Sequence, residues 1–428
     1  MDKLPHPPVS SFVRGVAKCG RDSHRKLTQY AAQYGGIYSI RFYHQKVVVL
    51  SDPTIVHQVL AREGPFGLLD KAAAGYFGID VLTFGRPSLL SHPTHSDAWR
   101  HVRKSVSPAF ATRNIKNGLP HVVSVAGQLV SALKALGPEA VVDMDRAAQR
   151  ESLDVIGRVG FGKDYGATRC LGGDEAESAL STLQKGMVEA QKYLSSPLRP
   201  YLWFFPDVRK GRRDLNAFHS MIRVLLAELR ARGPPADDDT TIAAHLLRMR
   251  DPATGLPLSD EQLLPEVSII FAAGLETTGH TIAWTLYLIS QHPEAEARVV
   301  SELDAAGLLV TGSCPHPRTL TFDDLGNLPY LSACIKESMR MYPVAASGTS
   351  REAPAPMLLG GYHIPKGTQL WSLARMNYTA ALALLLSSFS FRLAAEMGGE
   401  AGVRASECMS VTLQPSKGLL MHCIPRPC

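Results

Sequence analysis

The chain has 428 residues, 45% of them hydrophobic and 20% charged, which is ordinary globular usage and enough for a large core or two. A net charge of +6 with a pI of 8.9 is mild at this length, so the balance excludes no class except a strongly basic nucleic-acid binder, and no GxxxxGK[ST] or GxGxxG phosphate loop occurs. The 7 cysteines (Cys19, Cys170, Cys314, Cys334, Cys408, Cys423 and Cys428) are odd in number and form no CxxC pair, which argues against a disulfide frame or a zinc site and for reduced thiols.

In chain order, "MDKLPHPPVSSFVRG" places prolines where a secretory signal would have its apolar core, and no run of about 18 apolar residues marks a membrane span. An amphipathic segment near Arg21 to Tyr34 follows. "IYSIRFYHQKVVVLSDP" alternates as two short strands joined by a tight turn, and Asp52-Pro53 opens a helix. From Ser96 to Arg232 the spacing predicts helix nearly throughout, in "DAWRHVRKSVSPAF", "LPHVVSVAGQLVSALKAL", "RAAQRESLDVIGRVGFG", "EAESALSTLQKGMVEAQKYL" and "NAFHSMIRVLLAELRARG". The acidic "GPPADDDT" separates this block from a second helical run, which ends in the strand-like "LGGYHIPKGTQLW". The chain closes on "FSFRLA" and "MSVTLQPSKGLLMHCI", the latter expected as a hairpin about Pro415 to Gly418. The fold class is mainly α with a small β lobe.

Chemistry concentrates in three places. "PEVSIIFAAGLETTGHTIAWTLYLISQHP" is apolar on every side, as a helix through a core must be, with Pro265 expected at its first position and a stop before Pro293. Its centre nevertheless holds Gly274, Glu276, Thr277, Thr278 and Gly279. Burying a carboxylate and two hydroxyls costs several kcal/mol unless they are paired, and each glycine weakens the helix by roughly 1 kcal/mol. Such a cluster marks a site: Gly274 lets a group approach the backbone, and an acid beside a hydroxyl can pass protons to a ligand held there. The competing reading is a polar patch facing a neighbouring helix. In "LPYLSACIKESMRMYP", Glu337 and Arg340 stand three apart on one face of an otherwise apolar helix, where a buried pair would need further partners. In "DAWRHVRKSVSPAF", Trp99 and Arg103 share a face and could clamp a carboxylate together.

A discontinuity follows. "HIPKGTQLWSLARMNYTAALALLL" (His363 to Leu386) alternates like a strand up to Trp371 and takes helical spacing from Ser372, a good N-cap, with no turn residue between them.

Together these stretches resemble the cytochrome P-450 family of haem-thiolate monooxygenases from about Ile37 to Ile424: "AAGLETTGHT" is similar to its oxygen-activating helix, "KESMRMYP" to its ExxR helix and "GGYHIPKGTQLW" to the strand pair after it. The resemblance implies a cytochrome P-450-like fold around haem b, with residues 1–36 a proline-rich lead and first helix without a membrane anchor, 37–424 one domain and 425–428 a tail. By it Glu276 and Thr277 would relay protons to oxygen at the haem. Trp99, Arg103 and Arg351 would hold the propionates, Gly274 would border the haem, and Glu337 with Arg340 would be a structural ion pair beneath it. The reaction implied is oxidation of a hydrophobic small molecule with O2 and electrons from an NADPH-dependent reductase or a ferredoxin.

In that family a proximal loop carrying the iron-ligating cysteine separates the strand after "PKGT" from the helix that "SLARMNYTAALALLL" resembles. Here the two are joined at Trp371/Ser372, so the fold is expected to be incomplete on the proximal face of the haem and no residue is assigned as metal ligand. The thiolate that would favour O–O cleavage goes with the loop. The chain then reads as a truncated isoform or gene model with impaired haem ligation; the rival reading is a non-catalytic, haem-free remnant that binds a hydrophobic ligand or a partner.

"PLRPYLWFFPDVRKGRR" sets Tyr201, Trp203, Phe204 and Phe205 before Arg209, Lys210, Arg212 and Arg213, a pattern that suits either a membrane interface or a partly buried aromatic turn ahead of a solvated basic face. The resemblance favours peripheral membrane contact of an intracellular chain, on the endoplasmic reticulum or a plastid membrane.

Overall fold

The structure is a computed structural model, and it describes residues 4–8, 22–42, 45–61, 64–169, 171, 174–196, 198–309, 318–345, 348–372 and 380–426. The alternating segments form β1 (Ile37–Phe42) and β2 (Gln45–Leu50), which pair antiparallel; β2 runs parallel to β7 (Gln369–Ser372), β4 (Thr349–Glu352) closes the sheet, and β5 (Met357–Leu359) with β6 (Tyr362–Ile364) forms a separate antiparallel pair. Helix α1 (Ser23–Tyr34) lays Leu27 and Tyr30 against Tyr38 and Val47 of this lobe. The lead also belongs to it, since Leu4 is buried and Ser39 N donates to Pro5 O at 2.9 Å. Asp52 caps α2 (Pro53–Leu60) as its sequence predicts, accepting from Thr54 N at 2.7 Å and Ile55 N at 3.2 Å.

A short helix α3 (Phe77–Asp80), not expected from sequence, precedes the predicted helical block, which appears as α4 (Asp97–Val106), α5 (Thr112–Leu136), α6 (Met144–Val155), α7 (Asp174–Ser195) and α8 (Pro206–Ala231), broken by the unanticipated strand β3 (Val141–Asp143). Helix α5 is, by length and composition, apolar enough to cross a membrane, which counting unbroken apolar runs does not reveal; here Leu119, Val125, Ala126, Leu129 and Leu133 are buried. After α9 (Ile242–Leu247) comes α10 (Asp260–Gln291), the long apolar helix. Its start differs from expectation. Ser259 and Gln262 form a capping box one turn upstream, and Pro265 lies inside the helix rather than at its first position.

Helix α10 joins two cores. Leu263 to Leu275 pack with residues of α4, α7, α8 and α9, whereas Ile282 to Ile289 pack with α5, α6, α11 (Pro293–Ala305), α12 (Pro329–Met341) and α13 (Ala380–Ser388). In the second core Trp284 stacks on Tyr342 at 4.2 Å and donates Nε1 to Leu413 O at 3.2 Å. The polar stretch Glu276–Thr281 falls at the junction between the two, where neither apolar cluster needs a large side chain.

Two further expectations change. The closing hairpin is made by β9 (Glu407–Ser410) and β10 (Thr412–Pro415) and reverses at Val411, a non-glycine residue at φ 65°; residues after Pro415 lead instead to β11 (Leu420–Pro425), which pairs with β3 and β8 (Phe389–Leu393). A β-branched residue is strained there, so sequence offers no cue for a turn at that point. Ser372 ends β7, its hydroxyl donating to Thr349 O at 3.3 Å, and helix is described from Ala380. The expected start of that helix lies in residues 373–379, outside the described residues.

Candidate active site

Along α10 between Leu263 and Tyr287, the accessible positions are Ile270, Ala273, Gly274, Thr277 and Thr278. The spacing of three and four places them on one face over two turns. A helix otherwise sealed in core thus presents a short stripe of small and hydroxylated side chains. The threonines are tied to the helix itself: Thr277, Thr281 and Thr285 each donate to the carbonyl four residues back, at 2.8, 2.8 and 2.7 Å. The bare side of Gly274 faces Ile156, whose Cδ1 would lie 2.6 Å from a Cβ placed there, so the group that the missing side chain admits is this isoleucine.

Glu276 and Thr277 lie on adjoining faces. Thr277 borders the stripe; Glu276 is buried and accepts from Thr412 Oγ1 at 2.8 Å. Burial pushes its carboxyl up to about 7, with nearby His280 and the Thr412 hydroxyl opposing the rise.

One turn before the stripe, Glu266 accepts from Leu89 N at 2.9 Å and pins the backbone to which Lys71 donates. Around Lys71 the structure gathers the predicted cationic residues. Its ammonium donates to Leu89 O at 3.0 Å and lies 5.4 Å from the Trp99 ring; Lys71 and Arg351 form a backbone bridge. Trp99 Nε1 also donates to Leu89 O, at 3.1 Å, and Arg351 Nη1 donates to Leu69 O at 3.0 Å and to Thr94 Oγ1 at 3.3 Å. Arg351 Nε is buried and has no hydrogen-bond partner among the described residues. Arg103 is exposed, yet close enough to add to the repulsion on Lys71. Burial first, then Arg351, pull the lysine down to about 8, with Asp70 and Glu266 in partial opposition. Excess positive charge in a half-buried cluster favours an anionic ligand.

The third predicted constellation stands apart. Glu337 and Arg340 make the expected pair, Arg340 Nε and Nη2 donating to the two carboxylate oxygens at 2.8 and 2.6 Å, but the side chains are 58% and 53% exposed. The expectation of burial is corrected: α12 turns Leu331, Ile335, Ser338 and Met339 inward and this pair outward.

Sequence reasoning missed Lys71, which stands in no pattern, and Asp145, which is remote in sequence from α10. His280 was within reach, because its i+4 spacing from Glu276 puts both on one helical face.

The fold is thus helical and threaded by a core helix, which carries a short accessible stripe and, through Glu266, meets the segment that accepts from Lys71. The cytochrome P450 family profile matches residues 5–372, and the chain belongs to that family, whose members are P450-type oxidoreductases. The match begins upstream of the Ile37 boundary expected from sequence. Similar proteins include a bifunctional cytochrome P450/NADPH–P450 reductase of Bacillus cereus (24% identical, covering 85% of this chain and 33% of that protein), cytochrome P450 714C2 of Oryza sativa subsp. japonica (27%; 79% and 62%) and cyclooctat-9-en-7-ol 5-monooxygenase of Streptomyces melanosporofaciens (27%; 81% and 70%). The alignment spans about a third of the Bacillus cereus protein and under two thirds of the rice one.

Proposed function

We propose that this chain is a P450-type monooxygenase relative laid out for haem b but impaired in gripping its iron, because the segment bearing the axial cysteine is missing between Trp371 and Ser372. The observation that carries the haem site is the stripe on α10 lying one turn from Glu266, which holds the Leu89 backbone to which Lys71 and Trp99 also donate. Propionates are the anions that the family's cofactor offers, and Lys71, Trp99, Arg103 and Arg351 would hold them, with the unpartnered Arg351 Nε in reserve as a donor. Thr277 would face the ring, and Gly274 would border it with Ile156 packed against its bare side.

The donor set falls short at the metal. Among the described residues Cys334 is half-buried on α12, Cys408 is buried in β9, and Cys423 lies 3.5 Å from Met144 Sδ with its thiol pushed up by burial to about 12, the reverse of a ready thiolate. Cys19, Cys170, Cys314 and Cys428 are outside the described residues. The end of the family match at Ser372 supports the same reading. Haem b, when bound, supplies reductive activation of O2 for inserting one oxygen atom into an apolar organic substrate, with electrons from an NADPH-dependent reductase or a ferredoxin. Toward that chemistry Glu276 holds a proton beside the stripe, Thr277 presents a hydroxyl on it, and the Glu337–Arg340 pair would stand beneath the haem.

The region from Tyr201 to Arg213 is assigned peripheral membrane contact under this reading. Tyr201, Trp203, Phe204 and Phe205 are exposed, and Arg209, Arg212 and Arg213 line a surface pocket with Pro206. Behind the rings, Arg199 is clamped by Glu189 at 2.6 and 2.8 Å, which fixes the turn.

Haem titration of the expressed chain, followed by reduction and carbon monoxide, tests the assignment. Expected is haem uptake weakened by Lys71→Ala, without the strongly red-shifted Soret band of thiolate-ligated iron. A full red-shifted band overturns the missing-thiolate reading. No uptake at all overturns the haem site and leaves the remnant that binds a hydrophobic ligand.

A further inference from the structure

A buried charge pair flanks the stripe. His280 is wholly buried, and its Nδ1–H donates to Asp145 Oδ1 at 2.7 Å; the other oxygen of Asp145 accepts from Gln149 Nε2 at 2.7 Å. Gly279 permits this approach, since a Cβ there would lie 2.8 Å from Gln149 Cα and 3.0 Å from Gln149 N, so α6 and α10 meet this closely because residue 279 lacks a side chain. One turn before His280 stands Glu276, held by Thr412, and Gln414 of the same strand faces the imidazole. Three ionisable groups from two helices therefore share a buried space with neutral Gln149, Thr412 and Gln414, in which His280 Nε2 has no hydrogen-bond partner among the described residues. Nearby Asp143 is engaged as the cap of α6, accepting from Asp145 N and Arg146 N, and Arg146 and Arg150 are drawn to Glu177.

We propose that Asp145 and His280 form a charge couple that acts as the positioning element for Glu276: Asp145 keeps the imidazole cationic, and that cation, one helical turn away, governs when the Glu276 carboxyl gives up its proton. The inference rests on the reading of Glu276 as the proton-holding group of the site. Burial works against an imidazolium here, but the charge and hydrogen bond of Asp145, together with the charge of Glu276, hold the ring above the ordinary histidine range. In return the cation restrains the upward push of burial on Glu276. With a neutral ring, Glu276 would keep its proton well above neutrality and could not cycle it there.

The full chain without haem is the test material. Infrared titration of the protonated-carboxyl band, assigned by its loss in Glu276→Gln, reads Glu276, and nitrogen NMR of the imidazole reads His280. Expected are a ring that stays protonated above the ordinary histidine midpoint, and a Glu276 midpoint raised by about one pH unit or more in His280→Gln. Asp145→Asn lowers the His280 midpoint and Asp145→Glu restores much of it. A ring already neutral at about pH 6.5, or a Glu276 midpoint unmoved in His280→Gln, overturns the proposal. Should His280→Gln fail to fold, the ring titration in the unaltered chain decides alone. Haem uptake is measured separately: no uptake with the expected shift removes the haem reading and keeps the couple, whereas uptake with an unmoved Glu276 does the reverse.

Discussion

Glu276 on α10 and Glu337 on α12 occupy nearly the same setting in sequence, each an acid in an apolar helix with a polar partner one turn on. In the structure they part company. Glu276 is 2% exposed, and its surroundings come from α6 and β10; Glu337 is 58% exposed on its side chain and shares a bidentate pair with Arg340 in solvent. What a charged side chain does is thus decided by the surface opposite it. Where another helix closes over the acid, desolvation dominates and raises its proton affinity; where water reaches it, the same residue type forms an ion pair of small worth.

The comparison breaks most visibly at Asp145. Its replacement by alanine strands the His280 ring in the core without its acceptor and is expected to cost about 3–5 kcal/mol, read as a lower denaturant midpoint. A loss under about 1 kcal/mol would mean that the buried network tolerates an unpaired histidine and that the contrast with the Glu337 pair is empty.

Next in size is Glu151 on α6, fully buried, with Oε2 unpartnered among the described residues; burial and then Asp154 push its carboxyl up to about 8. The folded state therefore holds this proton over a range where the unfolded chain, near 4.5, has lost it. The stability from this group is full at low pH and falls as pH rises from about 4.5 to about 8. Glu151→Gln removes that slope, so the variant's stability relative to the parent climbs across the window, by a few kcal/mol at most, because each tenfold difference in proton affinity between the folded and unfolded chain is worth about 1.4 kcal/mol. Parallel melts at pH 5 and pH 8 measure the difference; equal differences at the two values would show that Glu151 reaches water.

A smaller effect is expected at Gly279. An added Cβ meets the Gln149 backbone rather than a flexible side-chain end, so Gly279→Ala should cost about 1–3 kcal/mol through displaced helices. Gly274→Ala, which meets the movable Cδ1 of Ile156, should cost less. Calorimetry on the two variants ranks them, and the reverse order would place the tight contact elsewhere.

Local pattern carried most elements. The β1–β2 ladder, the Asp52 cap, the helices from Ser96 to Arg232 and the all-apolar character of α10 follow from periodicity and caps. Trp99, Arg103 and Arg351 could be tied to one site through family resemblance, and the structure does bring them around Lys71. Lys71 itself and the Asp145–His280 contact depend on residues far apart in the chain, which no local pattern encodes. The turn at Val411 was hidden for a different reason: tertiary packing overrides the preference of a β-branched residue. Burial of Glu337 was inferred from apolar neighbours in sequence, but those neighbours occupy the other side of α12.

That last point yields the smallest prediction. With both side chains more than half exposed, the Glu337–Arg340 pair gains little Coulomb energy in water, so Glu337→Gln should change stability by less than about 1 kcal/mol, and added salt should shrink even that. Chemical denaturation at low and high ionic strength checks both statements. A loss of several kcal/mol that is insensitive to salt would mean that the pair is shielded from water in solution by chain that covers it. A segment inserted between Trp371 and Ser372 that buried this pair should turn the small, salt-dependent effect into a large, salt-independent one, giving Glu337 the desolvated character that now belongs to Glu276.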